Sequence, residues 1–103
     1  MLLAVSLGML VRIAREELRE PIRVSMKAEL REVARAESTY HARTYAYTAD
    51  LTFLHGISAF APPPPGTTLV VERADASAWA ARAHDPRTTQ TCTFGAGEPL
   101  VCQ

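Results

Sequence analysis

The sequence predicts an α+β fold in which one long N-terminal helix packs on a small antiparallel sheet of three or four strands. Residues 1–45 begin with apolar side chains and then repeat them every three or four positions, which is typical of a helix. The rest of the chain alternates short runs of β-forming residues with Pro and Gly, which is typical of hairpins. With 103 residues in total, the chain has room for one domain.

The charges are concentrated in the helical part of the chain. Eight of the eleven Lys and Arg residues and six of the eleven acidic residues lie between Arg12 and Arg43. The formal net charge is zero, so no overall positive field attracts nucleic acid, and no nucleic-acid partner is expected.

The first segment, residues 1–20, is predicted to be a hydrophobic anchor and the start of a helical stalk. Met1–Val11 carries no charged residue, and no signal-peptide pattern accompanies it. As a helix this run spans about 16 Å, which is about half of the roughly 30 Å hydrocarbon core of a bilayer. The residues expected to enter a membrane or a filament core are Met1, Leu2, Leu3, Val5, Leu7, Leu10 and Val11.

Residues 21–103 are predicted to form a head, whose first part is the continuing helix over residues 21–45. Pro21 removes a backbone donor and presses on the carbonyl of Glu17, so a kink is expected there. Two helices meeting at Pro21 are the alternative, but the apolar periodicity continues on both sides and favours a single kinked rod. The residues predicted to form the helix–sheet core are Leu18, Ile22, Met26, Leu30, Val33, Tyr40, Leu69, Val71 and Trp79.

A basic stripe also follows the helix, with a cation at every fourth residue from Arg15 to Arg35. Acidic residues beside it allow ion pairs three or four positions apart, each worth about 0.2–0.5 kcal/mol. Two interpretations stay open. The stripe is either a solvated helix face or a surface that meets acidic partners or lipid headgroups.

The remainder of the head is predicted to be a loop over residues 46–66 and an antiparallel sheet over residues 67–103. Pro62–Pro65 makes a stiff, extended strap that leads into the sheet. Short connections between the strands indicate a meander. Trp79 is expected at the centre of the helix–sheet contact because it buries the largest area. The predicted strands are Thr67–Arg73, Ala78–His84, Thr89–Phe94 and Pro99–Cys102.

Two cysteines, Cys92 and Cys102, flank a turn that contains glycine near the end of the chain. Thiols on either side of a hairpin can close a disulfide loop, and in a small domain this indicates an oxidising compartment. The head is therefore expected outside the cytoplasm. Arg12 and Arg15 directly follow the apolar run and favour a cytoplasmic C-terminal side instead. The sequence leaves this conflict open.

No catalytic, metal-binding or cofactor-binding residue is predicted, and the chain is not expected to be an enzyme. The histidines and cysteines match no zinc-ligand spacing. Neither a nucleophile elbow nor a Gly-rich phosphate loop occurs in the sequence.

Four segments follow one another in a distinctive order: a helix that ends in Tyr, a Tyr-Thr-x-x-Leu segment, a Pro-Gly-hydrophobic strand, and a Trp-centred strand followed by Thr-Cys-Thr. These segments are Met26–Tyr40, Tyr47–Leu54, Pro64–Val71 and Trp79–Thr93. In this order and spacing, over residues 20–95, the chain resembles type IV pilins and type II secretion pseudopilins. Against that pattern it is N-terminally short, with no leader ending in Gly and no Glu before Glu16.

The resemblance implies a structural subunit of a type IV pilus-like or pseudopilus-like filament that assembles through its N-terminal helix. Its partners would be copies of itself or other pilin-like subunits, together with membrane lipid. The chain would be membrane-anchored with an extracytoplasmic head, either periplasmic or at the cell surface. The alternative is an accessory single-helix, pilin-derived subunit of a larger integral membrane complex. A minor pseudopilin that primes assembly is a third interpretation.

Overall fold

The computed structural model describes residues 20–58, 63 and 65–103 in full, and residues 2–19 only as helix backbone. In the described part, α1 packs on one antiparallel sheet with the strand order β1-β2-β3-β4. The predicted α+β class and the antiparallel sheet are confirmed. The elements are α1 (Leu2–Thr44), α2 (Leu51–Ser58), β1 (Thr68–Ala74), β2 (Trp79–His84), β3 (Thr91–Gly95) and β4 (Glu98–Cys102).

The side of α1 that faces the sheet is apolar. Its residues recur every three or four positions, so they lie on one face of the helix. The opposite face, which includes Val24, Ala28, Arg31 and Arg35, is exposed to solvent. The buried residues on the sheet-facing side are Ile22, Met26, Leu30, Val33 and Ala36.

Helix α1 ends at Thr44, one residue before the predicted end at Tyr45. Tyr45 adopts a left-handed backbone conformation with φ of 61°, and its N–H donates to the carbonyl of His41 at 2.8 Å. The Thr44 hydroxyl donates to the carbonyl of Tyr40 at 3.0 Å. The first of these bonds satisfies a carbonyl that the helix end would otherwise leave unpaired. Glycine is the usual residue at such a position, because a Cβ strains this conformation.

Replacing Tyr45 by glycine is therefore expected to stabilise the head by about 1 kcal/mol. The side chain of Tyr45 is 80 % exposed, so its removal sacrifices little buried area. The thermal unfolding midpoint should rise for Tyr45→Gly and should not rise for the control Tyr45→Ala, which keeps the Cβ. Equal midpoints for the two variants would show that the helix end is not strained.

Residues 46–66 do not form the single loop predicted from the sequence, because α2 occupies Leu51–Ser58. Asp50 caps this helix, since its Oδ1 accepts the N–H of Phe53 at 3.1 Å. Leu54 is fully buried in the common core. The loop prediction is wrong for these residues because a helix of about two turns has too little periodicity to be distinguished by pattern alone.

Small residues line the inner face of the sheet where α1 crosses it. Ala83 pairs with Leu69 on β1 and with Cys92 on β3, and Ala81 pairs with Val71. Ala81, Ala83 and Cys92 are all buried. Their short side chains let the helix lie close to β2 and β3.

Trp79 is buried at the start of β2 and forms part of this core. Its ring meets that of Phe94 edge-to-face, with the ring centroids 5.7 Å apart. On β3, a Cβ at Gly95 would come within 2.8 Å of the carbonyl oxygen of Trp79. Only glycine fits there without a shift of the backbone.

A buried carboxylate joins the segment before β1 to the turn after β2. Asp85 accepts the Thr67 hydroxyl at 2.8 Å and the backbone N–H of Arg87 at 2.9 Å. The Arg87 guanidinium donates to both carboxylate oxygens, at 2.9 and 2.7 Å, and to the carbonyl of Pro65 at 3.2 Å. The hydrogen bonds from this guanidinium, above all, hold the pKa of Asp85 well below its usual range.

Candidate functional site

The residues predicted to anchor the chain lie outside the part whose side chains the structure describes. This applies to Met1, Leu2, Leu3, Val5, Leu7, Leu10 and Val11, and to the first predicted core residue, Leu18. Within the described part, no helix combines the length and the apolar character needed to cross a membrane. Helix α1 continues through Pro21, whose side chain is exposed, and a kink at this residue stays a prediction.

Most of the other residues predicted for the helix–sheet core lie together. Val71 packs against this core and is half-buried. Tyr40 falls outside it, because its ring meets Phe53 of α2 edge-to-face with the centroids 5.6 Å apart. The unexpected helix α2 therefore provides the partner of Tyr40. The predicted residues that are buried in the core are Ile22, Met26, Leu30, Val33, Leu69 and Trp79.

Further buried residues lie outside the set predicted for the helix–sheet core. The sequence places Ala36 on the apolar face of α1 and Ala81 and Ala83 on the same face of β2 as Trp79, but alanine also occurs on exposed faces, so its position alone does not mark it as core. The sequence predicts Leu54 as a core residue in a loop, and the structure places it in the core on α2. These additional buried residues are Ala36, Leu54, Ala81, Ala83 and Cys92.

Cys92 and Cys102 are joined by a disulfide, which confirms the predicted bond. The two residues lie directly opposite each other on β3 and β4, and Cys92 is fully buried. Just beyond the bond, the backbones of Thr91 and Gln103 exchange two hydrogen bonds at 2.8 and 3.0 Å. The last strand is thus held to the sheet both covalently and by hydrogen bonds.

A second buried carboxylate, Glu37, fastens α1 to the segment before α2. Its side chain is 0 % exposed, and its Oε1 accepts the N–H of Thr48 at 2.8 Å. Its Oε2 has no hydrogen-bond partner among the described residues. Burial raises the pKa of Glu37, and the hydrogen bond from Thr48 opposes this only in part. Beside it, the ring of Tyr47 stacks on His41 with the centroids 4.4 Å apart.

The Glu37 carboxyl should make the head less stable as the pH rises. Below the unfolded-state pKa both states hold the proton, and the stability is complete. As the pH rises from about 4.5 through the higher pKa of the folded state, the unfolded chain releases the proton first, so stability is lost. Replacing Glu37 by Gln removes this loss. The difference in thermal midpoint between Glu37→Gln and the unmodified chain is therefore expected to grow as the pH rises above about 4.5.

Glu98, which is exposed at the start of β4, provides the matched control for this prediction. Glu98→Gln replaces an exposed carboxylate. The difference in thermal midpoint between this variant and the unmodified chain should stay constant over the same rise in pH. A difference for Glu37→Gln that does not change with pH would rule out a destabilising buried charge at this position.

An open groove of about 510 Å³ lies beside α2 and the end of α1. Phe53 lines it and is 53 % exposed, which is high for a phenylalanine. Asp50 stands at the N-terminal end of α2, and Arg43 stands in the last turn of α1. The groove thus combines an exposed aromatic ring with one acidic and one basic side chain. Its lining residues are Arg43, Asp50, Thr52, Phe53, Gly56 and Ile57.

Among the residues whose side chains the structure describes, ion pairs use most of the charged groups, but not all of them. On α1, Glu20 pairs with Arg23, and Arg35 pairs with Glu32 at 3.1 Å. After α1, the described arginines are each paired with an acid at 3.0 Å or less. Those pairs are Arg73–Asp75, Arg82–Glu72 and Arg87–Asp85. Side chains without an ion pair within the described part include Lys27, Arg31 and Arg43 on α1, and Asp50 and Glu98 after it.

The described residues contain no group of three His, Cys, Asp or Glu side chains that could hold a metal ion. The surface of the described residues has two other features, the groove beside α2 and the exposed side of α1. Each includes charged side chains without an ion pair in the described part of the chain. Each of the two also includes one large apolar side chain that is exposed, Phe53 in the groove and Val24 on α1. Compared with protein-family models and with the sequences of curated proteins, the chain matches none.

Proposed function

We propose that the chain is a structural subunit of a type IV pilus-like or pseudopilus-like filament, which it enters through its N-terminal helix. The difference between the two ends of α1 supports this proposal. From Ile22 to Ala36, the apolar face of α1 is covered by the chain's own core. The sequence of Met1–Val11, in contrast, is apolar and uncharged. Such a run is stabilised by burial against other molecules, in a filament core or in a membrane.

The head suits a subunit part that stays outside this core. Its sheet is small, and the Cys92–Cys102 disulfide closes its last hairpin. Bonds of this kind persist in oxidising compartments. The proposed location is therefore a membrane or filament anchor with the head in the periplasm or at the cell surface. A kink at Pro21 would set the angle between anchor and head.

The second candidate is an accessory single-helix subunit of a larger membrane complex. Lys27 and Arg31 favour it, because both cations lack an ion pair within the described part of the chain. A neighbouring protein of the complex would then supply acidic groups to α1, and no filament would form.

Mechanical shearing of cells that produce the full-length chain tests the filament proposal. We expect the chain in the sheared fraction, where an antibody against the head detects it. Leu7→Arg places a charge in the apolar run and should remove the chain from that fraction. Thr89→Arg, at an exposed position in the head, is the matched control and should not.

A different distribution would favour the second candidate. If the chain is absent from the sheared fraction and co-purifies with an integral membrane complex, the filament proposal fails. If it is absent from both, neither candidate stands.

A further inference from the structure

We infer that the groove beside α2 binds the exposed side of α1 from a second copy of the chain, centred on Val24. The inference rests on the proposed function and specifies one contact between neighbouring subunits. One surface is the groove with Asp50, Phe53 and Gly56. The other is the outward side of α1 around Val24, which we call the Val24 face and which consists of Glu20, Val24, Lys27, Ala28 and Arg31.

Gly56 is the first argument for an occupant of the groove. It lies inside α2, where glycine is less favourable than alanine. A Cβ at this position would meet nothing within 4 Å among the described residues, and the backbone conformation does not require glycine. The part of the fold that the structure describes therefore gives no reason for glycine here. Close approach of another backbone is a role that glycine serves, because it has no side chain in the way.

The apolar groups of the two surfaces provide the second argument. Phe53 in the groove is 53 % exposed, and Val24 on α1 is 57 % exposed. Both are large apolar side chains that the head leaves in solvent. A contact between them would remove apolar area from water on both sides. The groove's volume of about 510 Å³ is enough for a valine and the aliphatic stem of a neighbouring lysine.

The charges of the two surfaces are complementary, which is the third argument. Lys27 and Arg31 follow Val24 by three and seven residues, so they share its side of the helix. Neither cation has an ion pair in the described part of the chain. Asp50 in the groove also lacks one there. Opposite charges that meet across an interface set its register and its specificity.

Each surface has one further charge of the opposite sign, and these two charges are also complementary. Arg43 lines the groove, and Glu20 precedes Val24 by four residues on α1. Glu20 is exposed, and its one ion pair among the described side chains is within its own helix, with Arg23. Each surface therefore carries an exposed apolar side chain with charges of both signs, and each sign has a counterpart on the other surface.

A contact between two different surfaces of the same chain has a consequence for assembly. Such an interface is heterologous, so every subunit keeps one free groove and one free Val24 face for the next copy. The contact then continues into an open helical array unless its rotation closes a ring. This is the geometry that a filament needs.

Cross-linking between two variants tests the contact directly. Cells co-express Val24→Cys and Gly56→Cys with different epitope tags, and the unmodified chain is the background control because Cys92 and Cys102 are already bonded. We expect a disulfide-linked dimer that carries both tags, and no dimer when either variant is expressed alone. No mixed dimer, or equal dimers from one variant alone, would overturn the inference.

Replacing Gly56 by a bulky residue provides a second test of the contact. Gly56→Gln should raise the thermal midpoint, since glutamine favours the helix and its Cβ has free space among the described residues. The same variant should reduce the amount of chain in the sheared fraction at least tenfold, because its side chain would block the groove. Ala76→Gln, at an exposed turn position, is the control and should leave the fraction unchanged. Normal filaments from Gly56→Gln would overturn the inference while the proposed function stands. A mixed dimer without filaments would reject the proposed function alone.

Discussion

Replacing Leu30 by alanine is expected to destabilise the head by about 3–5 kcal/mol. Leu30 is completely buried, and it lies near the middle of the apolar face of α1 between Met26 and Val33. Removing its side chain beyond Cβ leaves a cavity between the helix and the sheet. The surrounding side chains of the helix and the sheet can fill this cavity only in part. Small domains have a total stability of only about 5–15 kcal/mol. The variant should therefore lose much of its folded population on mild heating.

The exposed side of the same helix contains the matched control. Val24 is 57 % exposed, so Val24→Ala removes little buried area and should change the unfolding free energy by less than about 0.5 kcal/mol. Circular dichroism of the full-length chains in mild detergent, followed with temperature, measures both effects. If Leu30→Ala and Val24→Ala unfold at similar temperatures, the packing of α1 on the sheet is not what stabilises the head.

Removing the Cys92–Cys102 disulfide is expected to destabilise the head by about 3 kcal/mol. The bond joins residues ten positions apart and so restricts the unfolded chain. The double variant Cys92→Ala with Cys102→Ala avoids placing a polar group at position 92, which is fully buried. Its thermal midpoint should fall to that of the unmodified chain measured with a reductant.

Thiol labelling gives the control for this second prediction. The chain isolated from cells should not react with a thiol reagent until it is reduced. Free labelling without reductant would show that the bond is absent in the cell. The proposed extracytoplasmic location would then lose its main support.

Periodicity predicted the parts of the fold that have many residues in one pattern. The apolar positions of α1 from Ile22 to Val33 repeat often enough to predict both the helix and its buried side. The β2 segment was predicted because Trp79, Ala81 and Ala83 alternate with Ala80, Arg82 and His84 and so face the same way. Strand ends differ from the prediction by one or two residues, since local pairing decides them.

Helix α2 was not predicted, and the cause of the stop at the end of α1 was not evident from the sequence, because the signals for both are local and weak. Asp50 is a good N-cap, but the segment after it contains Gly56 and too few turns to show an apolar face. Tyr45 ends α1 in a conformation where glycine is usual, so no glycine marked the stop. In both places the backbone hydrogen bonds decide the structure, and they cannot be seen in residue type alone.

The candidate site depends on contacts between distant parts of the chain. In the sequence, Glu37 is one more acidic residue of an amphipathic helix. Its burial follows only when the segment around Thr48 folds back over it. The groove likewise needs Arg43 and α2 to be side by side. The sequence could predict the charge stripe on α1, but not which of its cations would remain without an ion pair.

The mass of the native particle that contains the chain tests the central claim most directly. That claim is that other molecules bury the N-terminal end of α1 while the head stays outside. Sedimentation of the purified full-length chain in plain buffer, without detergent or companion proteins, should show large assemblies or precipitation. A single, stable monomer under these conditions would contradict the account.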